Sequence, residues 1–197
     1  MNITKWLKWI WAESVTDNIV VLSTTSPEPL PLEWSSQGYD YRPIKADDVD
    51  QIYRSFPRID PQNIAKRIAH NDYGTLALKG NDVVGFCWAS TKPRKLEGEK
   101  PLQYTISPKP GHGYLYDANV KRSERGNSVG TNVIDGVLRQ LHHKNIFQTF
   151  YTHNAHYDPM ARITKTLGFK KQGTLRYERW LCFWNRDISD LSSYSIN

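Results

Sequence analysis

Residues 121–131 read Lys-Arg-Ser-Glu-Arg-Gly-Asn-Ser-Val-Gly-Thr, and these types in this order suit one chemistry, the holding of phosphate groups. Gly126, Asn127, Ser128 and Gly130 let a backbone turn tightly and approach a ligand, so that successive N–H groups point outward at the positive end of a following helix. A pyrophosphate would sit there. The same residues also spell an ordinary strand-to-helix turn capped by Ser or Asn, and the segment alone leaves both readings open.

Two elements must position that turn. Residues 114–120 alternate as a strand, and residues 129–143 place Val133, Val137, Leu138 and Leu141 on one helical face. Upstream, a short strand over residues 39–44 and a helix over 46–56, stopped by Pro57, are expected. Asp60 suits a cap and Pro61 a first turn for a second helix reaching about residue 70. Strands 73–78 and 83–90 flank Lys-Gly-Asn-Asp, a good hairpin turn. Residues 91–113, rich in Pro, Lys and Gly, read as a long loop. A strand over 146–152, a helix over 159–167 ended by Gly168, and strand-like runs over 169–173 and 175–184 complete a mixed α/β domain.

The 197 residues suit one domain with an appendage, and 39% hydrophobic residues supply its core. Three segments are expected: an extension over residues 1–38, the domain over 39–186, and a tail over 187–197. The extension opens on a Trp-rich run with apolar residues 3, 6, 7 and 10 on one helical face beside Lys5 and Lys8. Such a face fits packing on the domain or on a second copy of the chain, or contact with a membrane surface. It is too short and interrupted to span a bilayer and has no small-residue cleavage site, so a cytoplasmic protein is expected. Residues 18–25 have strand character and the Pro-rich stretch 26–31 reads as a linker.

The net charge of +6 favours an anionic ligand, but no block of five or six like charges occurs, nor any nucleic-acid-binding motif, so no nucleic-acid partner is expected. Cys87 and Cys182 lie in apolar runs without metal-ligand spacing, and the six histidines include no HExxH. No metal site is expected.

The order of these elements, with Arg125-Gly-Asn-Ser-Val-Gly130 and the downstream segment from Thr152 to Leu167-Gly-Phe169, resembles the GNAT superfamily of acyl-coenzyme A N-acyltransferases over about residues 39–184. Members carry a [Q/R]-x-x-G-x-[G/A] signature, in which Ser128 here stands for the usual second glycine. At negative φ that Ser costs little, and at positive φ the turn is strained. The resemblance implies a mostly antiparallel sheet of about seven strands with about four helices. It also implies that acetyl-CoA is the acyl donor. Arg125, Gly126, Asn127, Ser128, Val129, Gly130 and Thr131 would hold its pyrophosphate. Val120 would pair by backbone with the pantetheine arm, and Asn154 would add a contact.

The same resemblance makes the departures informative. Many members carry a Tyr acid where this chain has Thr164, and an Asn where it has Tyr157; either residue is a candidate to protonate the leaving thiolate. Tyr114-Leu-Tyr-Asp-Ala-Asn-Val120 resembles the fourth strand of polyamine acetyltransferases with Tyr116 replacing a Glu, leaving Tyr116 and Asp117 as candidate bases. The expected activity is direct acetyl transfer to a primary amine of a small molecule, an amino sugar or amino-acid-like compound. A non-catalytic acyl-CoA-binding module, and an acetyltransferase acting on protein N-termini or lysines, are the alternatives.

Overall fold

The computed structural model describes residues 16–25, 38–96, 104–154, 158–180, 183–189 and 195–196. The Trp-rich run, the Pro-rich linker, Tyr157 and Cys182 lie outside the described residues.

The elements run β1 (Thr16–Thr25), β2 (Asp40–Pro43), α1 (Val49–Ser55), α2 (Pro61–Ala69), β3 (Tyr73–Lys79), β4 (Asp82–Ser90), β5 (Arg94–Leu96), β6 (Tyr104–Ser107) and β7 (His112–Val120). There follow α3 (Val129–His142), β8 (Gln148–Asn154), α4 (Asp158–Thr166), β9 (Lys170–Trp180), β10 (Phe183–Ser189) and β11 (Ser195–Ile196). Single 3-10 turns at Ala46–Asp48 and Arg122–Glu124 precede α1 and α3.

One sheet has the order β10-β9-β1-β8-β7-β4-β3-β2, eight strands rather than about seven. Its neighbours are antiparallel except β7 and β8. Period-2 alternation divides its side chains between two cores. Cys87, Ala89 and Leu115 face α3, which buries Val133, Val137 and Leu141 against them. Phe86, Trp88, Tyr114 and Tyr116 face the opposite way, under Ile52 of α1 and Ile64 of α2. Trp88 is only 1% exposed, and deleting such a ring costs about 3–5 kcal/mol.

Four expectations are corrected. Residues 18–25 are not an appended strand: β1 lies inside the sheet, pairing with β8 from Ile19 to Thr25 and with β9 from Thr16 to Ser23. Backbone pairing across more than a hundred residues leaves no local trace in the sequence. The loop expected over 91–113 contains β5 and β6, which with β11 form a second sheet; the surrounding Pro, Gly and Lys obscured the strands. Residues 187–197 are not simply a tail, since β10 extends to Ser189 and β11 pairs with β6. The helix expected from residue 46 begins as a 3-10 turn and becomes α-helical at Val49.

Candidate functional site

The cleft begins where two parallel strands part. β7 and β8 are in register only from His112↔Gln148 to Leu115↔Tyr151, although β7 continues to Val120 and β8 to Asn154. At the last contact Tyr114 Oη and Thr152 Oγ1 hydrogen-bond at 2.7 Å. On its other side β7 stays bonded to β4, with Lys121 N donating to Val84 O at 2.8 Å. Antiparallel bonding alternates along a strand, so the adjacent Val120 N–H points away from β4, into the wedge beside β8.

At the mouth of the wedge lies the turn into α3. Gly126 has φ +91° and Ser128 φ +59°, two left-handed residues separated by Asn127. The first bond within the helix is Asn132 N to Ser128 O, 3.0 Å, so the N–H groups of Val129, Gly130 and Thr131 have no helical carbonyl to bond. Ser128 occupies the cap position, yet its side chain makes no capping hydrogen bond. The helix start is thus not closed by its own serine, and Ser128, Val129, Gly130 and Thr131 line the adjoining cavity.

The cavity has a volume of ≈ 650 Å³. Its wall includes Val120 from β7, His153 from β8, and Arg162 and Ile163 from α4. The turn and α3 contribute Arg125, Gly126, Ser128, Val129, Gly130 and Thr131. Arg125 and Arg162 are cations suited to phosphate oxygens. Glu124 also lines the cavity, and its carboxylate is engaged by Tyr39 Oη at 2.5 Å and Lys79 Nζ at 3.2 Å. Those two donors hold the Glu124 carboxyl below its usual range, Tyr39 being the larger cause. Lys79 offsets the negative charge beside the cradle.

The expected residues divide. Seven candidates for coenzyme binding line this cavity: Val120, Arg125, Gly126, Ser128, Val129, Gly130 and Thr131. Asn127 does not, because its side chain donates to Tyr39 Oη at 3.2 Å. Asn154 ends β8 opposite Ile19, with its side chain outside the described residues. Thr164 is 3% exposed, and its hydroxyl donates to Met160 O at 2.8 Å within α4. That hydroxyl is absent from the cavity wall, because a Thr inside a helix bonds back to the preceding turn.

Tyr116 and Asp117 meet residues that sequence spacing did not reveal. Between Phe86↔Asn119 and Trp88↔Tyr116, β4 contributes only Cys87 while β7 contributes Asp117 and Ala118, a β-bulge. Asp117 sits there at φ +51°, and its carboxylate forms an ion pair with Arg67 of α2. Alternation would send Tyr116 and Asp117 to opposite faces; the bulge brings both toward α2. Tyr116 Oη donates to Asp72 Oδ2 at 2.6 Å, and the Arg67 guanidinium lies 5.2 Å from the Tyr116 ring centroid and 5.6 Å from that of Trp88. Asn119 Nδ2 donates to Asp117 Oδ1 at 2.5 Å. Two buried donors on this face, Arg67 Nε and Trp88 Nε1, have no partner among the described residues. Arg67 and Asp72 lie 50 and 44 residues from their β7 partners, beyond any local pattern.

Burial, with the Asp117 charge second, pushes the Cys87 thiol far up, so Cys87 stays a protonated core residue rather than a nucleophile. Among the described residues no group of three His, Cys, Asp or Glu side chains is placed to hold a metal ion, and no helix is long and apolar enough to cross a membrane.

Known proteins share the sequence pattern and the fold of this chain. Residues 33–169 match the acetyltransferase (GNAT) family. No functionally curated protein matches the chain significantly. Among solved structures, one assigned to the GNAT family from Novosphingobium aromaticivorans superposes with a TM-score of 0.59 at 11% identity, covering 83% of this chain and 64% of that one. A GCN5-related N-acetyltransferase from Sphaerobacter thermophilus gives 0.59 at 16% identity, covering 94% and 56%. The chain therefore spans less than two thirds of either relative. The aminoglycoside N-acetyltransferase AAC(6')-Iy in complex with CoA gives 0.50 at 17% identity, covering 66% and 91%. With the family match spanning most of its length, the chain belongs to the GNAT acetyltransferases, a family of acyltransferases that use acetyl-CoA.

Proposed function

We propose that the protein transfers an acetyl group from acetyl-CoA to a primary amine of a small molecule, an amino sugar or amino-acid-like compound. The observation that carries this reading is the start of α3, which has no side-chain cap and lines the cavity beside the wedge between β7 and β8. The pyrophosphate rests on the N–H groups of residues 126–131 with Arg125 beside it, because fixed donors at a helix N-terminus favour anions. Asn154 stands near the end of β8 to contact the coenzyme. The pantetheine arm runs along β7 in place of a strand partner.

Direct transfer follows from that pose. The amine nitrogen, entering from the α2 side, attacks the thioester carbonyl carbon, and the oxyanion that forms meets the Val120 N–H. Collapse breaks the carbon–sulfur bond, forms the amide and expels the coenzyme thiolate, which takes a proton from an acid that the proton released from nitrogen then restores. Tyr116 and Asp117 border the amine. Tyr157 is the side chain proposed to protonate the sulfur, Thr164 having its hydroxyl committed within α4.

The reading is tested by titrating acetyl-CoA calorimetrically and then following coenzyme A release with a panel of amino sugars, amino acids and polyamines. Saturable binding with turnover on one amine class is expected. No binding would refute the coenzyme site, and tight binding without turnover would favour a binding module.

A further inference from the structure

We infer that Asp72 receives the proton an acceptor amine must lose, through the Tyr116 hydroxyl, with the Arg67–Asp117 ion pair fixing the geometry; the inference rests on reading the cleft as an N-acyltransferase site. A primary amine is an ammonium ion near neutral pH and cannot attack until one N–H bond breaks. Tyr116 offers only a phenol on this face of the strand, and a phenol alone is a weak base at that pH. The structure places a carboxylate beside it: Asp72, between α2 and β3, accepts a hydrogen bond from Tyr116 Oη at 2.6 Å.

Each member of the pair is held. The Asp72 N–H donates to Arg67 O at 3.0 Å, and the preceding Asn71 turns the chain at φ +58°. The Tyr116 ring stacks on Tyr114, 6.4 Å between centroids at an interplanar angle of 6°, and carries the Arg67 guanidinium 5.2 Å from its own centroid. Arg67 is in turn tied to Asp117, whose other oxygen accepts from Asn119. Asp117 therefore has both oxygens engaged, and its part is to hold Arg67 against the Tyr116 ring. The relay balances simply. The ammonium N–H proton passes to Tyr116 Oη as the Tyr116 proton passes to Asp72 Oδ2; one N–H bond breaks, one carboxyl O–H bond forms, and the phenol is restored. Tyr116 touches the amine, whereas Asp72 is a positioning residue that stores the proton.

The test uses the full chain with acetyl-CoA, the best primary amine from the panel, and hydroxylamine, which is already neutral near pH 7. Asp72→Asn keeps an oxygen that accepts from Tyr116 but cannot take its proton. It should lower kcat/KM for the amine by about a hundredfold, remove the limb of the pH profile that reports the base, and spare hydroxylamine and acetyl-CoA affinity. Tyr116→Phe, which retains the stacked ring, should do the same, and the double variant should be no worse than either single one because the two act as a unit. An Asp72→Asn enzyme with the wild-type pH limb, or losses that multiply in the double variant, would overturn the relay. If Asp72→Asn does not fold, Tyr116→Phe with an unaltered pH limb overturns it equally. Acetyl-CoA binding without turnover on any amine also overturns the relay while leaving the coenzyme site standing; failure to bind acetyl-CoA refutes the underlying reading instead.

Discussion

Replacing Gly130 by glutamate tests the phosphate cradle most directly. A Cβ at residue 130 would lie 3.0 Å from Ile163 Cδ1 and 3.6 Å from Val120 Cγ2, both on side chains of the cavity wall, so the new carboxylate would extend into the coenzyme's path. At about 6 Å from one phosphate charge, with an effective dielectric of about 20, repulsion costs about 3 kcal/mol, or about two decades of affinity. The fold should tolerate the change. Removing a glycine from a helix contributes about 0.5–1 kcal/mol, against a shift of a few tenths of an ångström at the flexible Ile163 tip. Calorimetry with acetyl-CoA should therefore show an affinity loss of at least about a hundredfold at low salt with a nearly unchanged melting temperature. The deficit should shrink as added salt screens the repulsion. Gly130→Ala adds the Cβ without charge and should lose less than about tenfold. Wild-type affinity in the glutamate variant would refute the cradle, and an alanine variant equally impaired would refute the electrostatic reasoning.

Gly126→Ala should destabilise the fold by about 1–2 kcal/mol through backbone strain alone, because φ is +91° while its Cβ meets nothing within 4 Å; an unchanged urea midpoint would contradict this. Thr164→Val should cost about 1 kcal/mol of stability by deleting the bond to Met160 O and leave turnover intact, so a tenfold fall in kcat would reinstate the hydroxyl as the acid. Burial alone would raise the Asp48 carboxyl, but the Arg42 guanidinium at 2.6 Å and the Lys45 N–H outweigh it and hold the group below its usual value. A folded value below the unfolded one contributes stability above about pH 4 that is lost as pH falls through the folded value. Arg42→Ala should lower stability near neutrality and weaken that acid limb; thermal melts showing a wild-type limb would refute the pairing.

Features encoded by neighbouring residues were legible. Asp60 caps α2 by accepting from Gln62 N at 2.9 Å, and Pro61 opens that helix as its fixed φ suggests. Gly80 turns the β3–β4 hairpin at φ +58°. The apolar face of α3 is buried where its period placed it. Ser128 was legible only as a conditional, since its residue type does not decide the sign of φ; the structure places it at +59° and leaves its hydroxyl out of the cap. For Thr164, spacing from Gly168 fixes a position along α4 but not which neighbour its hydroxyl bonds.

The sequence by itself determined the order of the central elements and the turn at Arg125–Thr131, because caps, turns and periodicity act over a few residues, the range across which local backbone preferences operate. Only the tertiary structure decided that β1 enters the sheet between β8 and β9, that β7 and β8 part beyond Leu115, and that a bulge re-aims Asp117 toward Arg67. Those outcomes depend on register and on the packing of α2 against the sheet, energies shared among residues far apart in the chain. The proposed donor site is for that reason readable from one segment, whereas the groups proposed to serve the acceptor come together only when the sheet and α2 have packed.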